Sequence, residues 1–178
     1  MKIVGTILLL VMFSGGSISS FAAQRDESSR EIAALVSHLS WDSVGGECNG
    51  IWRIFPTGEP AKKLVQIGKP ATDELLRVLE DADKGVAAHL ILSEIWEPEM
   101  IVYGSRVEGS EFVHGFIHIY NGLEWEDIIN MQEKNVTPKV ESLNLMINAA
   151  TWRLKLAKYR KDAANNAAPN NSFNRSAG

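Results

Sequence analysis

The chain has 178 residues, 45% of them hydrophobic, and a formal net charge of −4; that is enough apolar material for one packed domain without covalent staples. The mild acidic excess excludes a nucleic-acid binder that tracks phosphates, because such binding draws on clustered Lys and Arg. With Cys48 as its one cysteine, the chain cannot form an internal disulfide.

The N-terminus opens with Lys2, an apolar run from Ile3 to Phe13 and a small-residue segment ending Ser20-Phe21-Ala22. The run is too short to cross a hydrocarbon core of ~30 Å as a helix, and Gly15-Gly16-Ser17 breaks it at once. Residues 1–22 therefore read as a cleaved signal peptide, with Ser20 and Ala22 at the −3 and −1 positions; cutting after Ala23 would put the bulky Phe21 at −3. The protein is expected to be exported, periplasmic or secreted, with no stable membrane span after cleavage. No cysteine follows the apolar run, which argues against lipid attachment there.

Between Asp26 and Ser40, Ile32, Leu35, Val36 and Leu39 recur at helical spacing and predict one buried stripe. Trp41 to Pro60, rich in glycine, reads as a long irregular connection holding a short apolar piece, Ile51 to Phe55. Cys48 lies in its glycine-rich part, with no Lys, Arg or His between Gly45 and Gly50 to lower its pKa. A buried inert thiol and an intermolecular or reactive one both remain open.

From Glu59 to Trp96 the pattern is helical. Leu64 and Ile67 share a face, Gly68 ends that helix and Pro70 restarts one. Leu75, Leu76 and Leu79 make the next stripe, Asp81-Ala82-Asp83 a polar turn, and Val86, Ala87, Leu90, Ile91 and Ile95 the third. Short connections of this kind predict antiparallel neighbours. The string Leu64-Val65-Gln66-Ile67-Gly68-Lys69-Pro70-Ala71, followed by the leucines, the aspartates and Val86-Ala87-Ala88, resembles a HEAT-type helical repeat. That resemblance implies antiparallel helical hairpins, and a scaffold that offers a binding surface rather than a catalytic centre. Only one full unit and the end of another are present, so other elements must complete the core.

Those elements include a small antiparallel β-hairpin over residues 100–121. Ile101 to Tyr103 and Phe112 to Tyr120 alternate aromatic and β-branched residues, and Asn121-Gly122 is a strong turn signal. Leu123-Glu124-Trp125 either pairs back briefly or begins a helix. Thr137-Pro138 reads as a cap and first turn, opening a C-terminal helix over 138–161 whose buried stripe is Val140, Leu143, Ile147, Ala150, Leu154 and Ala157, widened by Met146 and Trp152. The basic residues near its end suit the helix macrodipole. Residues 163–178, rich in Ala and Asn, read as a disordered tail. The expected architecture is thus mainly α with a small antiparallel β-hairpin, a single domain over 23–162 built on a HEAT-like hairpin at 59–96.

Catalytic chemistry finds no motif. His114 and His118 have the spacing of a helical zinc pair, but on a strand of ~3.3 Å per residue they sit ~13 Å apart, too far to share an ion. They read as part of a polar-aromatic strip on one strand face. No Gly-x-Ser-x-Gly, phosphate loop, calcium loop or Cys-x-x-Cys pair is present, and neither a metal nor a cofactor is expected. His89 falls beside the apolar stripe of its helix, two turns before Trp96, and His38 reads as structural. The binding candidates are His89, Trp96, His114, His118, Tyr120 and Trp125. The expected role is non-catalytic recognition of a protein partner in the cell envelope or outside the cell. The rival is a small envelope hydrolase of glycan or peptide, pairing a histidine with Glu108, Glu111 or Glu124. N-terminal sequencing of the protein recovered from its producing cells should begin at Ala23; an N-terminus at Met1 contradicts the export reading.

Overall fold

The computed structural model describes residues 17–48, 52–99, 101–110 and 112–167; the apolar run Ile3 to Phe13, Glu111 and the tail from 168 onward lie outside these. The chain divides into two compact units, residues 1–31 and 32–178. The described part of the first is the opening stretch of helix α1 (Ser17–Ser37), where Ser29 Oγ donates back to the Arg25 carbonyl at 2.9 Å. The proposed cleavage point after Ala22 falls within this helix.

In the second unit α1 ends and the helices α2 (Gly58–Ile67), α3 (Thr72–Arg77), α4 (Gly85–Trp96) and α5 (Ser142–Ala167) alternate with six strands. Strands β1 (Val44–Cys48) and β2 (Trp52–Pro56) pair as a hairpin where the sequence suggests only an irregular connection. Its arms are glycine-rich on one side and apolar on the other, so neither shows a two-residue period by itself. A 3-10 turn at Trp41–Ser43 leads into it, closed by a reciprocal pair of bonds between Ser40 and Ser43.

Strands β3 (Tyr103–Gly109), β4 (Val113–Tyr120), β5 (Leu123–Asn130) and β6 (Asn135–Lys139) form a four-stranded antiparallel meander in sequence order. Asn121 and Gly122, with φ of 45° and 90°, make the two-residue turn between β4 and β5. Asn121 also clamps the start of β3, giving its N–H to the Val102 carbonyl and accepting the Val102 N–H on its side chain.

The expected architecture is corrected here. Among the described residues a four-stranded and a two-stranded antiparallel sheet stand beside five α-helices, so the fold is α+β rather than mainly α with one hairpin. Leu123-Glu124-Trp125 opens a full eight-residue strand, and Thr137-Pro138 lies in β6 rather than capping a helix at 138. Pro138 is accommodated because β6 is an edge strand, where a missing N–H leaves no partner short. The last helix starts four residues later and runs on to Ala167, into the segment expected to be disordered.

The HEAT-like stack is overturned by how α4 packs. The local hairpin exists: α2 ends at Gly68 with φ of 73°, a short turn through Pro70 leads into α3, and α3 turns back into α4. In a HEAT array the far side of such a hairpin meets the next repeat. Here it meets the sheet. Every residue of α4 from Gly85 to Ser93 is buried, as expected of a helix apolar all round. Its Ala87, Ala88, Ile91 and Leu92 join Leu64, Leu75, Leu79, Trp152 and Leu156 in one cluster. Val86 and Leu90 join Ile54, Tyr120, Leu123, Trp125 and Leu145 in the other.

Gly85 marks the tightest point of this arrangement. A Cβ there would stand 2.5 Å from the Leu79 carbonyl oxygen and 2.8 Å from Leu145 Cδ2. Gly→Ala at a helical site usually stabilises, but the collision with backbone reverses the sign. Gly85→Ala is expected to cost about 1–3 kcal/mol and to lower Tm by several degrees in a thermal melt followed by circular dichroism.

Candidate functional site

His89 is 1% exposed and fully engaged. Its Nε2 lies 2.7 Å from the Tyr120 carbonyl, and Trp152 Nε1 donates to its Nδ1 at 2.9 Å. A carbonyl can only accept and an indole N–H can only donate, so the ring is neutral with its proton on Nε2. Burial drives its pKa down to about 4, against the opposing pull of the Tyr120 carbonyl. This histidine joins α4, α5 and β4 and has no nitrogen left for a ligand.

His118, also 1% exposed, occupies the matching position in the sheet. Nε2 meets Asp127 Oδ2 at 3.0 Å and Nδ1 meets the Tyr103 hydroxyl at 3.0 Å. Because a carboxylate accepts only, Nε2 donates to Asp127, while Nδ1 bonds the Tyr103 hydroxyl. Trp125 stacks on the ring at 5.2 Å and Phe116 tilts against it at 5.1 Å. Trp125 and Tyr120 are themselves buried in the second cluster. Trp96 is half-buried: its Nε1 donates to Thr72 Oγ1, Tyr159 stacks on it at 5.5 Å, and the Lys69 ammonium sits 4.7 Å from its centroid.

Strand parity separates the residues that a hydrolase would need together. His114, His118 and Tyr120 share one face of β4. Glu108 is paired with Gly115 and Glu124 with Ile119, which places both carboxylates on the other face. There Arg106 meets both Glu108 and Glu124. Glu111 lies outside the described residues. Of the six binding candidates, His89, His118, Tyr120 and Trp125 are core residues, and only Trp96 and His114 keep partial access to solvent.

What the structure leaves open is a groove. A cavity of about 540 Å³ lies between the β1–β2 hairpin, the end of α4 and the start of β3, walled by Arg53, Phe55, Ile101, Tyr103 and Tyr120, with Glu47 and Glu94 at its margins. A second cavity of about 390 Å³ continues past Phe55 and Glu94 to Lys62, Val65 and Gln66 on α2. Phe55 and Glu94 line both, so the two cavities adjoin. Tyr120 Oη donates to Glu94 Oε1 at 3.4 Å, and burial followed by the Glu94 charge pushes that phenol above its ordinary range. Tyr103 is held on the wall by the His118–Asp127 pair behind it. Beside it β3 is an edge strand of the four-stranded sheet.

Family models, curated proteins and solved structures all give no match to this chain. The site therefore rests on its geometry. Among the described residues no three His, Cys, Asp or Glu side chains converge in a metal-binding arrangement, and no helix is long and apolar enough to cross a membrane. Arg53, Phe55, Lys62, Glu94 and Tyr103 escape the sequence reading because they come from four elements. The one signal for them is the aromatic density of Ile51 to Phe55.

A second polar clamp ties the end of α4 to α5. Glu97, at the end of α4, accepts from Lys155 Nζ at 2.9 Å and from Tyr159 Oη at 2.7 Å. Burial opposes its charge, but these two bonds outweigh burial and hold its pKa below the ordinary value, while the same bond lifts Tyr159 to about 12. His89 adds a pH-dependent contribution to the stability of the fold. Its native pKa of about 4 lies below the unfolded 6.5, so between these values the unfolded chain binds more protons. Stability is then full above pH 6.5 and falls as pH drops toward 4, by about 3 kcal/mol from this group. Urea unfolding at pH 7 and pH 4.5 should show this extra slope in the native sequence and lose it in His89→Gln.

Proposed function

We propose that this chain is an exported, non-catalytic recognition module that takes an extended segment of a partner protein into the groove beside β3. The observation that carries the reading is the groove's make-up: two adjoining cavities lined by the aromatic rings of Phe55, Tyr103 and Tyr120 together with Arg53, Lys62, Glu47 and Glu94, with Tyr103 coming from the edge strand β3. Extended peptides bind such places by adding main-chain hydrogen bonds to a strand edge while alternate side chains fill pockets. Phe55 and Tyr103 supply the flat apolar surfaces, and the mixed charges favour a segment in which both signs flank an apolar or aromatic anchor.

The histidines support recognition over hydrolysis. His89 uses both nitrogens inside the core, and His118 uses both to hold Tyr103 and Asp127. Their role is to stiffen the wall that meets the ligand. A rigid wall reduces the ordering cost of binding.

Selection of random twelve-residue peptides on the immobilised protein tests this reading. Enriched peptides should carry an apolar or aromatic anchor flanked by opposite charges. Phe55→Ala and Arg53→Glu should each weaken their binding at least ~10-fold, about 1.4 kcal/mol, with the far-ultraviolet spectrum unchanged. N-methylation of alternate peptide amides should abolish binding in one register only. Absence of enriched sequences, or binding indifferent to both substitutions, refutes the proposal.

A further inference from the structure

Helix α5 is apolar on two sides. Leu145, Asn148, Ala149, Trp152 and Leu156 face the core. The other side carries Leu143, Ile147 and Leu154, which are 64%, 57% and 74% exposed, with Met146 beside them at 56%. Ala150 and Ala157 complete this outer row and are exposed as well. The row repeats at intervals of four, three, four and three residues, the heptad spacing by which one helix packs along another.

We infer that this face is a dimer seam, occupied by the same helix of a second copy running antiparallel about a two-fold axis at Ala150. Reversing the row about that residue sets Leu143 against Ala157, Ile147 against Leu154 and Ala150 against itself. Large side chains then meet small or matching ones, and the smallest lies at the axis, where the helices come closest. A two-fold interface must be self-complementary in this way.

Charge selects the second copy and its direction. At the start of α5, Glu124, Glu126 and Glu141 line a small cavity of about 70 Å³ with Lys139 and Asn144; Lys139 pairs with Glu141 and Arg106 with Glu124, so the carboxylates there exceed the cations by one. At the other end Arg153 is paired with Glu80 and Arg160 with Asp73, while Lys158 and Lys161 are exposed. Antiparallel docking brings Lys158 of one copy over Asn144 and the acidic notch of the other. Parallel docking would stack acid on acid and base on base, and would align the helix macrodipoles unfavourably. The shared contact spans about four turns, ~22 Å of helix. That is less than the ~800 Å² per partner of a standard interface, so the dimer should be reversible and depend on concentration.

Sedimentation velocity of the protein as purified from its producing cells should show a monomer–dimer equilibrium that shifts to monomer in Leu154→Glu. Leu154 is the most exposed residue of the row, so the circular dichroism spectrum should not move and Tm should match that of the native sequence at dilutions where it is monomeric. In a Cys48→Ser background, Ala150→Cys should form a disulfide-linked dimer on mild oxidation, whereas Leu143→Cys should not, because its symmetry mate lies ~21 Å along the helix. A monomer at every concentration, a dimer untouched by Leu154→Glu, or equal cross-linking at positions 143 and 150 overturns the inference.

Discussion

The hydrogen bonds of His89 are the constraint on which the rest of this fold depends. Helix α4 is buried on every side, and a polar ring at its middle must be satisfied from both flanks or destabilise the core by the full cost of a desolvated group. Trp152 supplies a donor from α5 and the Tyr120 carbonyl an acceptor from β4. Because the two partners come from different layers, they set the helical layer and the sheet at one separation and one register along α4. Apolar packing alone would tolerate a slide along the helix. Two directed bonds of opposite sense do not.

Around that bridge the molecule sorts its side chains by strand parity. The inner face of the sheet gives Tyr120, Leu123 and Trp125 to the core and keeps His118 in an aromatic enclosure, fixed between Tyr103 and Asp127. The outer face carries Arg106, Glu108, Glu124 and Lys139. Charge of this kind on an edge strand such as β3 also discourages indiscriminate pairing with other chains. On the proposed reading, a partner that pairs there has to match the groove next to it as well. His89 and His118, which draw attention in the sequence, are thus internal and stand behind the groove wall.

Local features were legible wherever a single residue type has one physical use. Gly68 ends α2 in the left-handed region, Asn121-Gly122 makes a two-residue turn, and Leu64, Leu75, Leu90 and Ile91 are core positions. The β5–β6 pair was not legible. Glu124, Glu126 and Asp127 break its apolar alternation, and Pro138 mimics the start of a helix. Of the stripe expected to be buried on the last helix, Trp152 is in the core and Val140 packs against it, but Leu143, Met146, Ile147, Ala150, Leu154 and Ala157 are exposed. The true inner face contains Asn148 and alternates with the outer apolar row, so helical periodicity finds both and cannot rank them. The groove was illegible for a simpler reason: its residues are brought together from β1, β2, α2, α4 and β3, and no local pattern records which loops bring strands side by side.

By itself, the sequence determined the helical hairpin from α2 to α4, the β4 strand and its turn, and the lack of a recognisable catalytic motif. These follow from interactions within a few residues or from composition, which any chain of this order must obey. Only the tertiary structure decided that α4 faces a sheet instead of another repeat, that His89 and His118 are internal struts, which side of α5 is left outside, and where a groove remains. Each of these depends on contacts between residues far apart in the chain, where the outcome is set by which pairs of surfaces bury the most apolar area while leaving no polar group unpaired.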